Sequence, residues 1–264
     1  MPNWTYNDLK VETTEWLYED KKELKEAKKQ LDEFVESSVN EEKESEDRSS
    51  ADLPRGDEKK PIERVFSFQG VVPMPKSLGI TSGTSTERGM AYIDWKENNK
   101  SERIDKILGY DWATKEIDGR WSKNKQRDAL CKIFAKKDKH STWDKNLKEG
   151  RMALENIKKY GHKDWYDWSC KNWGTKWDAS DSYISDEGRD EKWEEYFIRI
   201  SFNTAWSPPY EYLYKATQKY PLLRFTCQVE EESEAFLGNL ICQWGKLVDN
   251  TTRVDFPERD KEDE

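Results

Sequence analysis

The stretch YFIRISFNTAWSPPYEYLYKATQKYPLLRFTCQV, residues 196–229, decides the fold. In its first nine residues Tyr196, Ile198, Ile200, Phe202 and Thr204 fall on one side of an extended chain. Phe197, Arg199, Ser201 and Asn203 fall on the other, which is the period-two pattern of a strand. Ser207 is positioned to cap a helix, and Pro208 and Pro209 suit its first turn, where a missing N–H costs nothing. Glu211 there complements the helix dipole, and Pro221 ends the helix. Leu223, Phe225, Cys227 and Val229 then alternate with Leu222, Arg224, Thr226 and Gln228 as a second strand. A turn over 230–234 leads to one more strand, with Phe236, Leu240, Cys242 and Trp244 on one face. The pattern is a β-α-β unit with an added hairpin strand.

The N-terminal part reads the same way. Trp4, Tyr6, Leu9 and Val11 suggest a strand over 3–12 with an irregularity near Asn7, after which Thr13 and Thr14 can cap a helix. Leu17, Leu24, Ala27, Leu31 and Phe34 line one face of that helix. Val65, Phe66, Phe68, Val71 and Val72 give a second strand, stopped by Pro73-Met74-Pro75. Two β-α-β units in one chain predict an α+β protein with an antiparallel sheet of ferredoxin-like, split β-α-β topology and a helical insertion. The expected organisation is a first half at 1–75 with a disordered acidic loop at 36–60, and a helical insertion at 76–171. The second half with its hairpin strand follows at 172–248, and a disordered acidic tail at 249–264.

Composition narrows the function. Hydrophobic residues make up 34% of the 264 residues and charged residues 38%, but 13 Trp, 12 Tyr and 9 Phe supply large rings for a core rich in indoles. No apolar run approaches the roughly 20 residues that span a bilayer, and the N-terminus lacks a basic-then-apolar leader pattern. A cytoplasmic protein with no membrane partner is expected. Cys131, Cys170, Cys227 and Cys242 are scattered and only His140 and His162 accompany them, so neither a metal site nor a cofactor is expected. The thiols read as reduced, packed small hydrophobes. Of the net charge of −9, residues 36–60 and 249–264 contribute −4 each, whereas residues 120–163 carry fourteen Lys or Arg against five acids.

Two surfaces stand out. Residues 160–179 concentrate Trp165, Trp168, Trp173 and Trp177. With 172–179 as a strand, Trp173, Thr175 and Trp177 face one way and Asn172, Gly174, Lys176 and Asp178 the other. Asn172, Trp173, Lys176, Trp177 and Asp178, joined by Thr204 and Trp206, form a candidate ligand site; the alternative is that the rings fill the core and the Lys176–Asp178 pair is a solvated contact. The second surface is the basic helical region, where Lys123, Lys125, Arg127, Lys132, Lys136, Lys137, Trp143, Lys148 and Arg151 could neutralise phosphates and stack on bases. They could equally be the solvated faces of amphipathic helices. No nucleophile elbow, phosphate loop, dinucleotide fingerprint or His-Glu-x-x-His occurs, and Asp178 is the one carboxylate placed for a shifted pKa. The residues point to binding, of a protein or small ligand, or of nucleic acid, more than to a reaction.

Several motifs resemble the YubB-type family. They are Met-Pro-Asn-Trp at 1–4, Val-Val-Pro-Met-Pro at 71–75, Asn-Trp-Gly-Thr-Lys-Trp-Asp-Ala at 172–179, Phe-Asn-Thr-Ala-Trp-Ser-Pro-Pro at 202–209, and Phe236-Leu237-Gly238. The resemblance implies a ferredoxin-like C-terminal domain and a setting on bacterial phages, plasmids and genomic islands, with a host protein such as a defence factor, or a small ligand, as the expected partner, and supplies no reaction. Two positions depart from it: Thr5 stands where Cys is frequent, and Gln228-Val229-Glu230 where a Tyr-x-Glu is usual. The first argues against thiol chemistry at that position.

Overall fold

Ten residues at the chain start set the sheet. A computed structural model describes residues 3–13, 21–41, 64–97, 107, 109, 111–135, 143–190, 195–233 and 236–250. Its strands are β1 (Trp4–Thr13), β2 (Val39–Glu41), β3 (Arg64–Phe66), β4 (Ser180–Asp190), β5 (Glu195–Ala205), β6 (Arg224–Glu231), β7 (Leu237–Gln243) and β8 (Lys246–Asn250). The helices are α1 (Lys21–Ser38), α2 (Thr84–Glu97), α3 (Asp111–Glu116), α4 (Lys123–Ala135), α5 (Trp143–Tyr160), α6 (Trp165–Asn172) and α7 (Tyr210–Lys219). The chain divides into one compact unit of residues 1–73 and 169–264 and another of residues 74–168.

The first unit holds a six-stranded sheet in the order β4-β5-β1-β6-β7-β8, every neighbouring pair antiparallel. The run β1-α1-β4-β5-α7-β6 with spatial order β4-β5-β1-β6 is the split β-α-β arrangement, so the α+β, ferredoxin-like expectation holds. Which segment supplies the second strand is different from the sequence reading. Residues 65–72 do not join this sheet: β3 pairs with β2 in a separate two-stranded ribbon, followed by a short 3-10 helix at Phe68–Gly70. The second strand is β4, and the insertion falls between α1 and β4. Apolar alternation in Val65 to Phe68 is real, but its rings serve as core plugs. Phe66 and Phe68 lie 5.1 and 5.7 Å from Phe202, and Phe68 lies 4.4 Å from Tyr212 of α7.

Phe34 of α1 meets Phe225 of β6 edge-on at 5.6 Å, which fixes α1 over the face formed by Leu9, Val11, Ile198, Ile200, Phe225 and Cys227, all at most 1% exposed. This core is built of phenyl rings, not of indoles as composition suggested. Trp173 is buried, while Trp177, Trp206 and Trp244 are exposed. β1 carries no irregularity at Asn7: its register to β5 and β6 is unbroken there. The Asn7 amide instead turns inward and donates to the Thr5 and Phe202 carbonyls and to Thr204 Oγ1, which keeps a polar side chain in the core. A final strand, β8, lies beyond the single added strand expected from the sequence. Both edge strands are interrupted, β4 by two register shifts and the β7–β8 pair by one. Bulged edges discourage pairing with another chain.

In the second unit α2 crosses α5 in close contact at Gly89 and Gly150. Met90 and Ala153 pack beside that crossing with Ile80, and Ala91, Ile107, Ala113, Ile117, Leu130 and Phe134 form a further apolar cluster. No helix among the described residues is long and apolar enough to cross a membrane. Residues 42–60 of the expected acidic loop and 251–264 of the expected tail lie outside the described residues; 36–41 belong to α1 and β2, and 249–250 to β8.

Two of the four thiols depart from the expected packing. Cys227 and Cys242 are buried, but Cys131 and Cys170 are exposed. Burial pushes the Cys242 thiol up to about 11 and raises Cys227 further. A thiol reagent at pH 8 should therefore modify two cysteines in the folded chain and four only after unfolding. Rapid native labelling of Cys227 or Cys242 would contradict this packing.

Candidate functional site

The open face of the sheet carries the main hollow of the first unit. Because side chains alternate, the strands that bury Leu9, Phe202 and Val229 present Tyr6, Asp8, Ser201, Asn203, Gln228 and Glu230 on the opposite side. Register aligns them in two rows across the strands. Tyr6 stands opposite Asn203 and Glu230, and Glu230 opposite Leu237. Asp8 stands opposite Ser201 and Gln228, Ser201 opposite Tyr183, and Gln228 opposite Asn239. The resulting groove has a volume of about 760 Å³. At about 4.8 Å per strand, five strands from β4 to β7 make it roughly 19 Å long.

Its walls carry three large exposed side chains. Tyr6, Tyr183 and Leu237 are 47%, 58% and 47% exposed. The register shift between Ser180 and Tyr183 puts Asp181 in a left-handed backbone conformation, φ 48°, and aims it at the groove. The Asn203 amide donates to Asp181 Oδ2 at 3.3 Å. One oxygen of Asp8 accepts from Arg199 at 3.4 Å, while Oδ1 is enclosed without a donor. Asp8, Asp181 and Glu230 give the lining three carboxylates and no Lys or Arg.

The turn that sequence singled out has a different geometry. Residues 172–179 are not a strand: α6 ends at Asn172, and a turn at 173–179 follows. Gly174 takes a positive φ of 81°, and a Cβ there would sit 3.0 Å from the Tyr210 and Glu211 nitrogens, so the turn needs glycine. Ser207 does not cap α7; its hydroxyl donates to the Gly174 carbonyl at 2.6 Å, and Pro209 precedes the helix without a side-chain cap. Trp173 Nε1 donates to the Val72 carbonyl, and Thr175 to the Ala205 carbonyl, both at 2.9 Å. The conspicuous motif ties the end of β5, the start of α7 and the 66–72 segment together.

The seven candidate ligand residues separate accordingly. Asn172 Oδ1 accepts from Lys215 at 2.6 Å, and Thr204 donates to the Ser207 carbonyl at 2.8 Å. Asp178 accepts from Ser67 Oγ and the Phe68 N–H at 2.7 Å each, and from the Ala179 N–H at 2.8 Å. Burial holds its carboxyl above the ordinary range, against the pull of those three donors. Lys176 lies over the Trp177 ring at 4.7 Å, Trp177 meets Trp4 at 6.0 Å, and Trp206 is exposed in a left-handed conformation, φ 74°. Trp177 and Trp206 are exposed and Lys176 is half-buried, and the polar atoms of Asn172, Thr204 and Asp178 have partners within the fold.

In the second unit Lys123, Lys125, Arg127 and Lys132 on α4, and Lys148 and Arg151 on α5, are exposed. On α4 they divide: Lys123 and Arg127 are one turn apart, while Lys125 and Lys132 lie on the opposite side, with Lys125 over the Trp121 ring at 4.1 Å. Lys148 and Arg151 border a hollow of about 400 Å³ that also contains Asp144 and Glu155. Lys136 and Lys137 lie outside the described residues, as does the side chain of Trp143.

The groove residues escaped the sequence reading because no motif marks them. They are the polar half of an alternation whose apolar half announced the strands. Ser201 and Asn203, noted as facing away from Ile200 and Phe202, and Gln228, noted as alternating with Cys227 and Val229, hinted at them.

Comparison with known proteins bears on the same unit. Residues 172–264 match the family model described as a ferredoxin-like domain in Api92-like protein. A crystal structure of a protein api92 from Yersinia pseudotuberculosis aligns over 96% of this chain and 98% of its own, at 13% identity and a TM-score of 0.34. No curated protein matches the chain.

Proposed function

We propose that this chain is a binding protein that engages its partner through the open face of the ferredoxin-like sheet. The observation that carries the proposal is the groove itself: exposed Tyr6 and Tyr183 flank a polar floor on a sheet whose central strands bury their other face in the core. Exposed aromatic rings grouped around one hollow, with Leu237 at its end, are the kind of side chain that anchors a bound partner. Bulged edges argue against recognition by strand addition. A small catalytic constellation finds less support: the groove has no His, Cys or Lys, and its carboxylates stand on separate strands. The resemblance to the YubB-type family supports a setting on a bacterial mobile element, in the cytoplasm of the host, with a host protein or ligand as the target.

A second reading rests on the exposed cations of α4 and α5, which would bind nucleic acid through phosphates. Their spread over two sides of α4 and the acids beside Lys148 and Arg151 weaken it. One comparison separates the two. Ser201→Trp fills the groove floor with a residue strands tolerate, and Lys148→Glu with Arg151→Glu reverses the basic face. The groove variant should lose a stoichiometric partner captured by the tagged wild-type chain, and the helix variant should keep it. Retention by Ser201→Trp with loss in the helix variant, or salt-sensitive filter binding of nucleic acid by the wild type alone, would favour the second reading instead.

A further inference from the structure

We infer that the groove takes an extended segment of a partner polypeptide bearing two basic side chains four residues apart. The inference rests on the binding role proposed for this face and names its ligand.

Charge comes first. Asp8, Asp181 and Glu230 line the groove with no Lys or Arg among the lining residues; Asp8 pairs with Arg199 just beyond them, which leaves Asp181 and Glu230 as the carboxylates offered to a ligand. An exposed carboxylate gains more from a cationic donor supplied by the ligand than from a neutral one. An anionic segment would add repulsion from Asp181 and Glu230, and a purely apolar one would leave them desolvated.

Spacing comes second. Asp181 on β4 and Glu230 on β6 are three strand intervals apart, about 14 Å at the usual strand separation. One ammonium or guanidinium cannot reach both. An extended chain advances about 3.4 Å per residue and returns to the same face every second residue, so side chains four apart are separated by about 14 Å. The roughly 19 Å of groove accommodates about six extended residues.

The rings come third. Tyr6 shares its row with Glu230, and Tyr183 follows Asp181 by two residues. Each end carboxylate therefore has an exposed phenol beside it, a pairing that suits a guanidinium, which stacks on aromatic faces and forks onto a carboxylate. Ser201, opposite Asp8 at the centre, keeps the floor low enough for a backbone to lie across. Leu237 closes the β7 end with an apolar contact.

The test uses a fluorescein-labelled nine-residue peptide of Ser, Thr and Val with Arg at its third and seventh positions, titrated against the full chain at two salt concentrations. Companion peptides carry Gln at both positions, or Arg at the third and fourth. The spaced Arg peptide should bind at least about tenfold more tightly than either companion. Asp181→Asn or Glu230→Gln should each remove about tenfold, whereas Glu33→Gln, on α1 away from this face, should not. Equal binding of the Gln peptide would overturn the charge assignment, and equal binding of the adjacent-Arg peptide, or displacement by spermine at the same concentration, would overturn the extended-segment assignment. Peptide binding that perturbs neither Tyr6 nor Tyr183 would overturn the groove as its site. Failure of the Arg peptide while a captured partner still protects those two rings would reject the basic segment and leave the binding face standing.

Discussion

Gly150→Ala should destabilise the second unit by at least about 3 kcal/mol, although alanine is the better helix former by about 1 kcal/mol. The two effects have opposite signs, so the outcome decides between them. A Cβ at Gly150 would lie 2.5 Å from the Gly89 carbonyl carbon, and one at Gly89 would lie 1.9 Å from the Asn146 carbonyl oxygen. Both neighbours are helix backbone, which cannot rotate aside as a side chain can. The helices must separate instead, and Met90 and Ala153, 4% and 0% exposed, lose their close packing with them. Urea denaturation followed by circular dichroism should show the loss for either substitution. Unchanged or increased stability in Gly150→Ala would mean that α2 and α5 do not touch there.

Asp178→Ala should cost the first unit a comparable amount, about 3 kcal/mol, because three donors lose their acceptor at once. The Ser67 hydroxyl, the Phe68 N–H and the Ala179 N–H all converge on this carboxylate. The Phe68 bond anchors the segment that inserts Phe66 and Phe68 beneath Phe202 and Tyr212. Asp178→Asn keeps an acceptor oxygen and should lose much less. Its pH behaviour gives an independent check. The folded carboxyl is raised above its unfolded value, so the stability its titration contributes is present below the unfolded pKa and is lost as pH rises through the folded pKa. Stability measured against pH should therefore fall for the wild type relative to Asp178→Asn across that window. Parallel curves would show that Asp178 is not perturbed, and a mild effect of Asp178→Ala would show that the segment is held by its rings alone.

Much of the fold is legible in residues 196–229, and the reasons are local. Ile198, Ile200 and Phe202 bury one face of a strand, and the alternation that marks them also marks their neighbours as outward. Pro221 stops α7 close to where it ends. The second strand was misplaced because Val65, Phe66 and Phe68 carry the same alternation as β4 should, whereas β4 reads Ser-Asp-Ser-Tyr-Ile-Ser-Asp-Glu-Gly-Arg-Asp, an edge strand with polar residues on both faces. Sequence period reports burial, not pairing. The turn at 172–179 attracted attention through its tryptophans and its Lys176–Asp178 pair; the structure shows Trp173 and Asp178 bonded to Val72, Ser67 and Phe68, partners about a hundred residues away that no local pattern reveals. The groove needed register as well. Asp8, Asp181 and Glu230 converge only once β1 is known to stand between β5 and β6.

The binding role of the open face is tested most directly by fluorine NMR of the chain carrying fluorotyrosine at position 6 or 183, with and without its captured partner. Both ring resonances should shift and broaden together on addition of the partner, and Ser201→Trp should abolish the change. A partner that binds while both resonances stay fixed, and that shifts a ring of the second unit such as Tyr160 instead, would contradict the open face as the site of recognition.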